Sequence, residues 1–118
     1  STAMPPAQAY TLLTAIEVVR NADTQRQYLA ELIDYFKTNL AKLGLHSEST
    51  SAIQPILVGS NQKSLEVSRI LQEHNLWAVS IRPPTVPPNS SRIRLTLNCT
   101  HTHADIDHLM KVLDYAIN

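Results

Sequence analysis

The sequence predicts a two-layer α/β domain of the α+β kind, in which a three-stranded, largely antiparallel sheet is covered by helices. Three observations carry this. The hexapeptide Arg92-Ile93-Arg94-Leu95-Thr96-Leu97 alternates strictly. Ile93, Leu95 and Leu97 fall on one face and Arg92, Arg94 and Thr96 on the other, the period-2 signature of a half-buried strand. Two further strand-like runs, Ile53 to Val58 and Trp77 to Ile81, flank a segment with helical spacing. Such a strand–helix–strand crossover makes its two strands parallel, and a third strand inserted between them makes every neighbouring pair antiparallel. Finally, residues 24–43 and 106–117 repeat Leu, Ile, Val, Phe and Met at helical intervals, which supplies the covering layer.

In chain order, Ser1 to Met4 is an extended lead-in, and Pro5-Pro6 suits the first turn of a helix, where a missing N–H does no harm. The first helix carries Ala9, Leu12, Leu13, Ile16 and Val19 at helical spacing, and Asn21-Ala22-Asp23-Thr24 interrupts it. A second helix starts near Asp23 or Thr24. Its buried stripe is Leu29, Leu32, Ile33, Phe36, Leu40 and Leu43, and Gly44 ends it as a C′ residue. Leu45 to Ala52 is a Ser/Thr-rich connector. After the first strand, Gly59-Ser60-Asn61 supplies a turn and a helix cap. Leu65, Val67, Ile70, Leu71 and His74 make the next helix amphipathic, and Asn75 closes it. In the strand that follows, Trp77, Val79 and Ile81 share one face, so burying that face against the helices leaves Ser80 and Arg82 on the open side.

Between the last two strands stands Arg82-Pro83-Pro84-Thr85-Val86-Pro87-Pro88. Four prolines lock φ and remove donors, so this stretch is expected to be a stiff, extended connector rather than part of a sheet. If both flanking strands bury their apolar faces against one helical layer, Arg82 and Arg94 emerge together on the open side, beside Thr85. Two guanidiniums and a hydroxyl would then suit an anionic ligand, because a guanidinium matches a carboxylate or phosphate through paired hydrogen bonds. Arginines on the wet face of a sheet are also commonly plain solvated side chains.

Composition narrows the field. At 118 residues the chain is long enough for one core and too short for two. Ten basic and ten acidic residues give a formal net charge of +0, so no electrostatic footprint for nucleic acid or an anionic membrane is present. No apolar run reaches membrane-span length and no export leader is visible, which points to the cytoplasm. Cys99 stands alone and reads as a packing residue at a strand end. His101-Thr102-His103-Ala104-Asp105-Ile106-Asp107-His108 places imidazoles and carboxylates close together, as zinc sites do. The plainer reading is a capping box, Thr102 at the N-cap with Asp105 three residues on, and no metal is expected. With only Gly44 and Gly59, the chain has neither a P-loop nor a dinucleotide fingerprint.

Ile81-Arg-Pro-Pro-Thr-Val-Pro87, then Arg92-Ile-Arg-Leu-Thr-Leu97, with Asp105-Ile-Asp107 downstream and Ser1-Thr-Ala-Met-Pro-Pro-Ala7 at the start, resembles the pyridoxal-phosphate-dependent α-oxoamine synthases in their oxononanoate-synthase branch. The likeness spans the whole chain but only the C-terminal part of the family's sequence. It implies the small C-terminal domain of a fold-type I enzyme, with residues 1–24 as lead-in and linking helix and 25–118 as the domain proper. It implies a parent acyltransferase that joins L-alanine to a pimeloyl thioester, pimeloyl-CoA or a pimeloyl-carrier protein, with loss of carbon dioxide, early in biotin synthesis. Pyridoxal 5′-phosphate would serve the intact, homodimeric enzyme and would not be bound by this chain alone.

Residue by residue, the resemblance makes Arg94 the holder of the amino-acid carboxylate, Thr85 a substrate contact in the loop, and Arg82 a branch-specific arginine on the acyl side. Ser1 and Thr2 match a pair that reaches the cofactor phosphate of the partner subunit. No catalytic residue is expected here: none of Lys37, Lys42, Lys63 and Lys111 sits in the family's Thr/Ser-His-Gly-Lys motif, which the resemblance places upstream. Two other readings remain open, a related synthase using glycine or serine and a non-catalytic module that binds small carboxylates.

Overall fold

The computed structural model of the protein describes residues 2–118. Its elements run α1 (Pro6–Arg20), α2 (Asp23–Lys42), β1 (Ile53–Gly59), α3 (Asn61–Glu73), β2 (Val79–Ile81), β3 (Ser91–Thr96) and α4 (His103–Ile117). The sheet order is β1-β3-β2 and both pairings are antiparallel, so the last strand does slip between the two that the α3 crossover joins.

The core lies between the sheet and α2, α3 and α4. Ile56, Ile93, Leu95 and Leu97 meet Leu32, Phe36, Leu40, Val67, Leu71, Ile106, Leu109 and Leu113, all buried. Leu29 and Leu43 of the expected α2 stripe pack partly buried at its margin. On α3 the buried stripe is Ser64, Val67 and Leu71, while Leu65 is 47% exposed. The expected Leu65 is replaced by a serine because the helix approaches β2 closely: the Ser64 and Ser80 hydroxyls hydrogen-bond each other, and Ser68 Oγ donates to the Ala78 carbonyl at 3.0 Å.

Helix ends follow local chemistry. At the α2 terminus Gly44 takes φ +74°, its N–H donates to Ala41 and the Leu45 N–H to Leu40, the two bonds of a Schellman motif. Asn75, at φ 63°, does the same for α3, with Asn75 N–H to Gln72 and Leu76 N–H to Leu71. Ser60 caps α3 by accepting from the Lys63 N–H. At α4 the Thr102 hydroxyl accepts the Asp105 N–H at 3.2 Å and Asp105 Oδ2 accepts the Thr102 N–H at 2.8 Å, completing the expected box. These bonds hold the Asp105 carboxyl below its ordinary range, the backbone bond from Thr102 acting most strongly. Tyr28 Oη donates to the His101 carbonyl (2.6 Å) and Tyr35 Oη to Asp107 (2.5 Å), which pins the start of α4 to α2.

Three further expectations are corrected. Cys99 is exposed, because it stands beyond β3 in the turn that Asn98 closes by accepting from Thr100. The proline stretch is folded, not extended. Thr85 N–H bonds the Arg82 carbonyl across a cis Pro83–Pro84 bond, and Ser90 N–H bonds the Pro87 carbonyl with Asn89 at φ 59°; Pro83-Pro84 and Pro88-Asn89 are thus the central pairs of two tight turns. The third correction, to the facing of β2, belongs with the site.

Phe36→Ala, which empties a fully buried position, is expected to cost about 3–5 kcal/mol in urea denaturation, and Thr102→Ala about 1 kcal/mol through loss of the cap. Because the folded Asp105 carboxyl titrates below its ordinary value, its contribution is complete above that value and is lost as pH falls through the folded one. Melting temperature below about pH 4 should therefore fall less steeply in Asp105→Asn than in the unmodified chain.

Candidate functional site

The register of β3 builds the site. On its open face Arg92 and Arg94 have a neighbour on either side and Thr96 has one: Leu57–Arg92–Ile81, Pro55–Arg94–Val79 and Ile53–Thr96. Directly opposed residues share a face, so the open face is a mostly apolar surface with two guanidiniums and one hydroxyl on its central strand. It carries no Asp or Glu. Ile53, Leu57 and Val79 are about half exposed or more.

This reverses the expected facing of β2. Val79 and Ile81 stand beside Arg94 and Arg92 on the open side, whereas Ala78 and Ser80 turn toward α3. The reason is steric. The close approach of α3 admits only small residues, so the larger ones go to the open face, and Trp77, just before the strand, is 86% exposed. Continued alternation would put Arg82 on the face opposite Arg94, and it lies beyond the last ladder pair, Ile81↔Arg92. The reversed facing of β2 therefore removes the ground for expecting Arg82 and Arg94 on one face. Arg82 opens the first turn of the proline loop, where its carbonyl accepts from Thr85, and the loop residues Pro83 to Pro88, Thr85 included, line a shallow concavity.

The two arginines on β3 differ. Arg92 is half-buried and its Nε donates to the Ser90 carbonyl at 3.2 Å, so it braces the loop that leads into the strand. Its role was not among those read from the sequence, although its alternation with Arg94 marked it. Arg94 is exposed and forms no ion pair or hydrogen bond among the described residues, in contrast to Arg26 and Arg69, which pair with Asp23 and Glu73 one turn away. An exposed guanidinium with a fixed Cα and no counterion can take up a carboxylate bidentately.

Other candidates lie elsewhere. Thr2 is exposed, and Ser1 lies outside the described residues. The lysines all sit on helices: Lys37 Nζ donates to the Ser49 carbonyl (2.9 Å), Lys63 Nζ to that of Ala116 (3.2 Å), Lys42 Nζ to Asn39 Oδ1 (3.3 Å), and Lys111 is exposed on α4. The histidines near α4 have separate duties. His101 Nδ1 accepts the Asn98 N–H, His103 packs edge-on against Tyr35 and His108 Nε2 reaches the His74 carbonyl. Among the described residues no three His, Cys, Asp or Glu side chains come together to hold a metal ion, and no helix is long and apolar enough to cross a membrane.

Residues 1–113 match the model of the family described as aminotransferase class I and II. The chain is 48% identical to an 8-amino-7-oxononanoate synthase of Serratia proteamaculans and 50% identical to one of Yersinia pestis, each over 96% of this chain and 30% of the relative. The chain thus spans about 30% of the length of these curated relatives. Among solved structures, a serine palmitoyltransferase from S. paucimobilis with bound PLP-myriocin aldimine superimposes with a TM-score of 0.84 at 23% identity, over 98% of this chain and 30% of that one. An 8-amino-7-oxononanoate synthase from Francisella tularensis gives 0.84 at 21% identity, over 97% and 33%. Both share the fold.

Proposed function

The chain belongs to the aminotransferase class I and II family, and on that premise we propose that it is the C-terminal domain of an 8-amino-7-oxononanoate synthase. Such an enzyme joins L-alanine to a pimeloyl thioester with loss of carbon dioxide. The observation that carries the reading is identity of 46–50% to three synthases of that name over 96% of the chain. Arg94, an unpaired guanidinium on a central strand, supplies the chemistry such a domain needs for an amino-acid carboxylate.

Arg94 binds that carboxylate and holds the amino acid in one orientation, which matters because the bond to be broken must be presented in a single geometry. Thr85 contacts substrate from the proline loop. Arg82, at the start of the proline loop, serves the acyl substrate. Residues 1–24 form a lead-in and linking helix, and residues 25–118 form the domain. Two features support this division: α1 buries none of its own residues, and Tyr10, Leu13 and Val18 are exposed. In a parent about three times as long, such surfaces and the open sheet face would meet the larger domain. The parent is read as a homodimer in which Ser1 and Thr2 approach the partner subunit's cofactor phosphate.

The parent's cofactor on this reading is pyridoxal 5′-phosphate. The described residues do not by themselves fit it. They offer no amine beside Arg94, because the four lysines lie on helices and three of them already donate to oxygens there. The 118-residue chain alone is therefore expected to give no saturable visible absorption band when titrated with pyridoxal phosphate, and borohydride should trap no adduct at a single lysine.

In the full-length enzyme, Arg94→Lys keeps the charge and loses the planar fork. It is expected to lower kcat/KM for alanine roughly tenfold or more, while Arg82→Lys acts on the apparent affinity for the acyl thioester. Steady-state kinetics with each substrate varied in turn checks both. Alanine kinetics unchanged in a folded Arg94→Lys enzyme would show that the carboxylate is held elsewhere.

A further inference from the structure

Arg94 has a carboxylate to hold and nothing polar to hold it. Its neighbour Arg92 is tethered through Nε to the Ser90 carbonyl, but no hydrogen bond or ion pair among the described residues fixes the Arg94 side chain. A free arginine carries large rotamer entropy, which a binding site loses each time it captures its ligand. What flanks the stem of Arg94 is apolar on both sides, Pro55 on β1 and Val79 on β2.

The hydrogen-bond phase of the sheet makes the Pro55 contact close. The Leu97 N–H donates to the Ala52 carbonyl at 2.9 Å, which makes Ala52 and Leu97 a hydrogen-bonded pair. Counting by twos along the ladder, Gln54–Leu95 and Ile56–Ile93 are hydrogen-bonded pairs, and Pro55–Arg94 lies between them as a non-hydrogen-bonded pair. In such pairs the Cα atoms approach to about 4.5 Å and the side chains stand nearer than elsewhere in the ladder. The same phase aims the nitrogen of Pro55 at the outer edge of β1, an edge strand, so the proline costs the sheet no ladder bond. A ring with no χ freedom therefore stands directly opposite Arg94, in a pair of the ladder's closest spacing. Val79, β-branched and stiff at χ1, stands opposite on the other side.

We propose that Pro55 and Val79 are positioning residues that clamp the stem of Arg94 and pre-set its guanidinium for a carboxylate. This rests on the reading of Arg94 as the carboxylate holder. The clamp is apolar and rigid, so it restricts the arginine without offering it a competing acceptor; a polar neighbour would fix the side chain at the expense of its donors. It also explains why a proline tolerable only at selected ladder positions stands directly beside the one untethered guanidinium of the strand.

The test uses the full-length holoenzyme. Pro55→Ala and Val79→Ala are each expected to raise KM for alanine about three- to tenfold and to weaken competitive inhibition by propionate by the same factor. KM for the acyl thioester should stay within about twofold. Pro55→Val, which restores a stiff apolar wall, should return alanine KM to near the parent value. In an Arg94→Ala background, which removes the stem, Pro55→Ala should add little, since residues acting through one contact are not additive. Three outcomes overturn the proposal. Unchanged alanine KM in Pro55→Ala and Val79→Ala, with Arg94→Lys still impaired, removes the clamp and leaves the carboxylate reading intact. A full Pro55→Ala effect persisting in the Arg94→Ala background shows that Pro55 acts on something other than Arg94. Normal alanine kinetics in a folded Arg94→Lys enzyme removes both together.

Discussion

The two-sided pairing of β3 is the constraint on which the rest of this structure depends. The strand lies between β1 and β2, and its odd-numbered residues Ser91, Ile93, Leu95 and Leu97 are all buried against the helices. Because side chains alternate with a period of two, a slip of one residue would send Ile93 and Leu95 to the open side and bury Arg92 and Arg94. Burying two guanidiniums without partners costs far more than any ladder bond returns. The apolar core therefore fixes the register, and the register places Arg94 on the open face beside Pro55 and Val79.

The helical layer serves this strand from the far side. Ser64 and Ser68 of α3 reach Ser80 and the Ala78 carbonyl, drawing β2 in until only small residues fit under it. Schellman ends at Gly44 and Asn75 and the capping box at Thr102 give α2, α3 and α4 sharp limits. Tyr28 and Tyr35 then tie the start of α4 to α2 across more than seventy residues of sequence. Hydrogen bonding to the Asp107 carboxylate is the main reason the Tyr35 phenol is pushed above its ordinary pKa.

What results is a domain with one finished face and one prepared face. The helical side is closed over the apolar core. The sheet side offers Ile53, Leu57 and Val79 around a basic strand without an acidic residue. Charge at such a place is expressed most strongly when an apolar surround keeps competing water and counterions away. A site of this kind relies on rigid strands for its precision and on neighbouring surfaces for its seclusion.

The sequence alone determined the elements and their order, because each rests on short-range patterns: period-2 alternation at 92–97, helical stripes, Gly44, Asn75, and the Thr102–Asp105 box; the placing of β3 between the other two strands was a topological preference that the sheet bears out. The strict alternation also named Arg92, Arg94 and Thr96 as open-face residues whatever the partner strands do, and the family resemblance picked Arg94 from among them. The facing of β2 was decided only by tertiary structure. With large apolar residues at Trp77, Val79 and Ile81 and small ones at Ala78 and Ser80, period alone cannot say which side meets the helices; the serine contacts from α3 settle it. That choice puts Val79 and Ile81, not Ser80, on the face that carries Arg94. The turns of the proline loop likewise emerged from two main-chain bonds, and Cys99 was left exposed by the turn that follows β3. The partnership of Pro55 with Arg94 depends on register and hydrogen-bond phase between strands nearly forty residues apart, which no local pattern encodes.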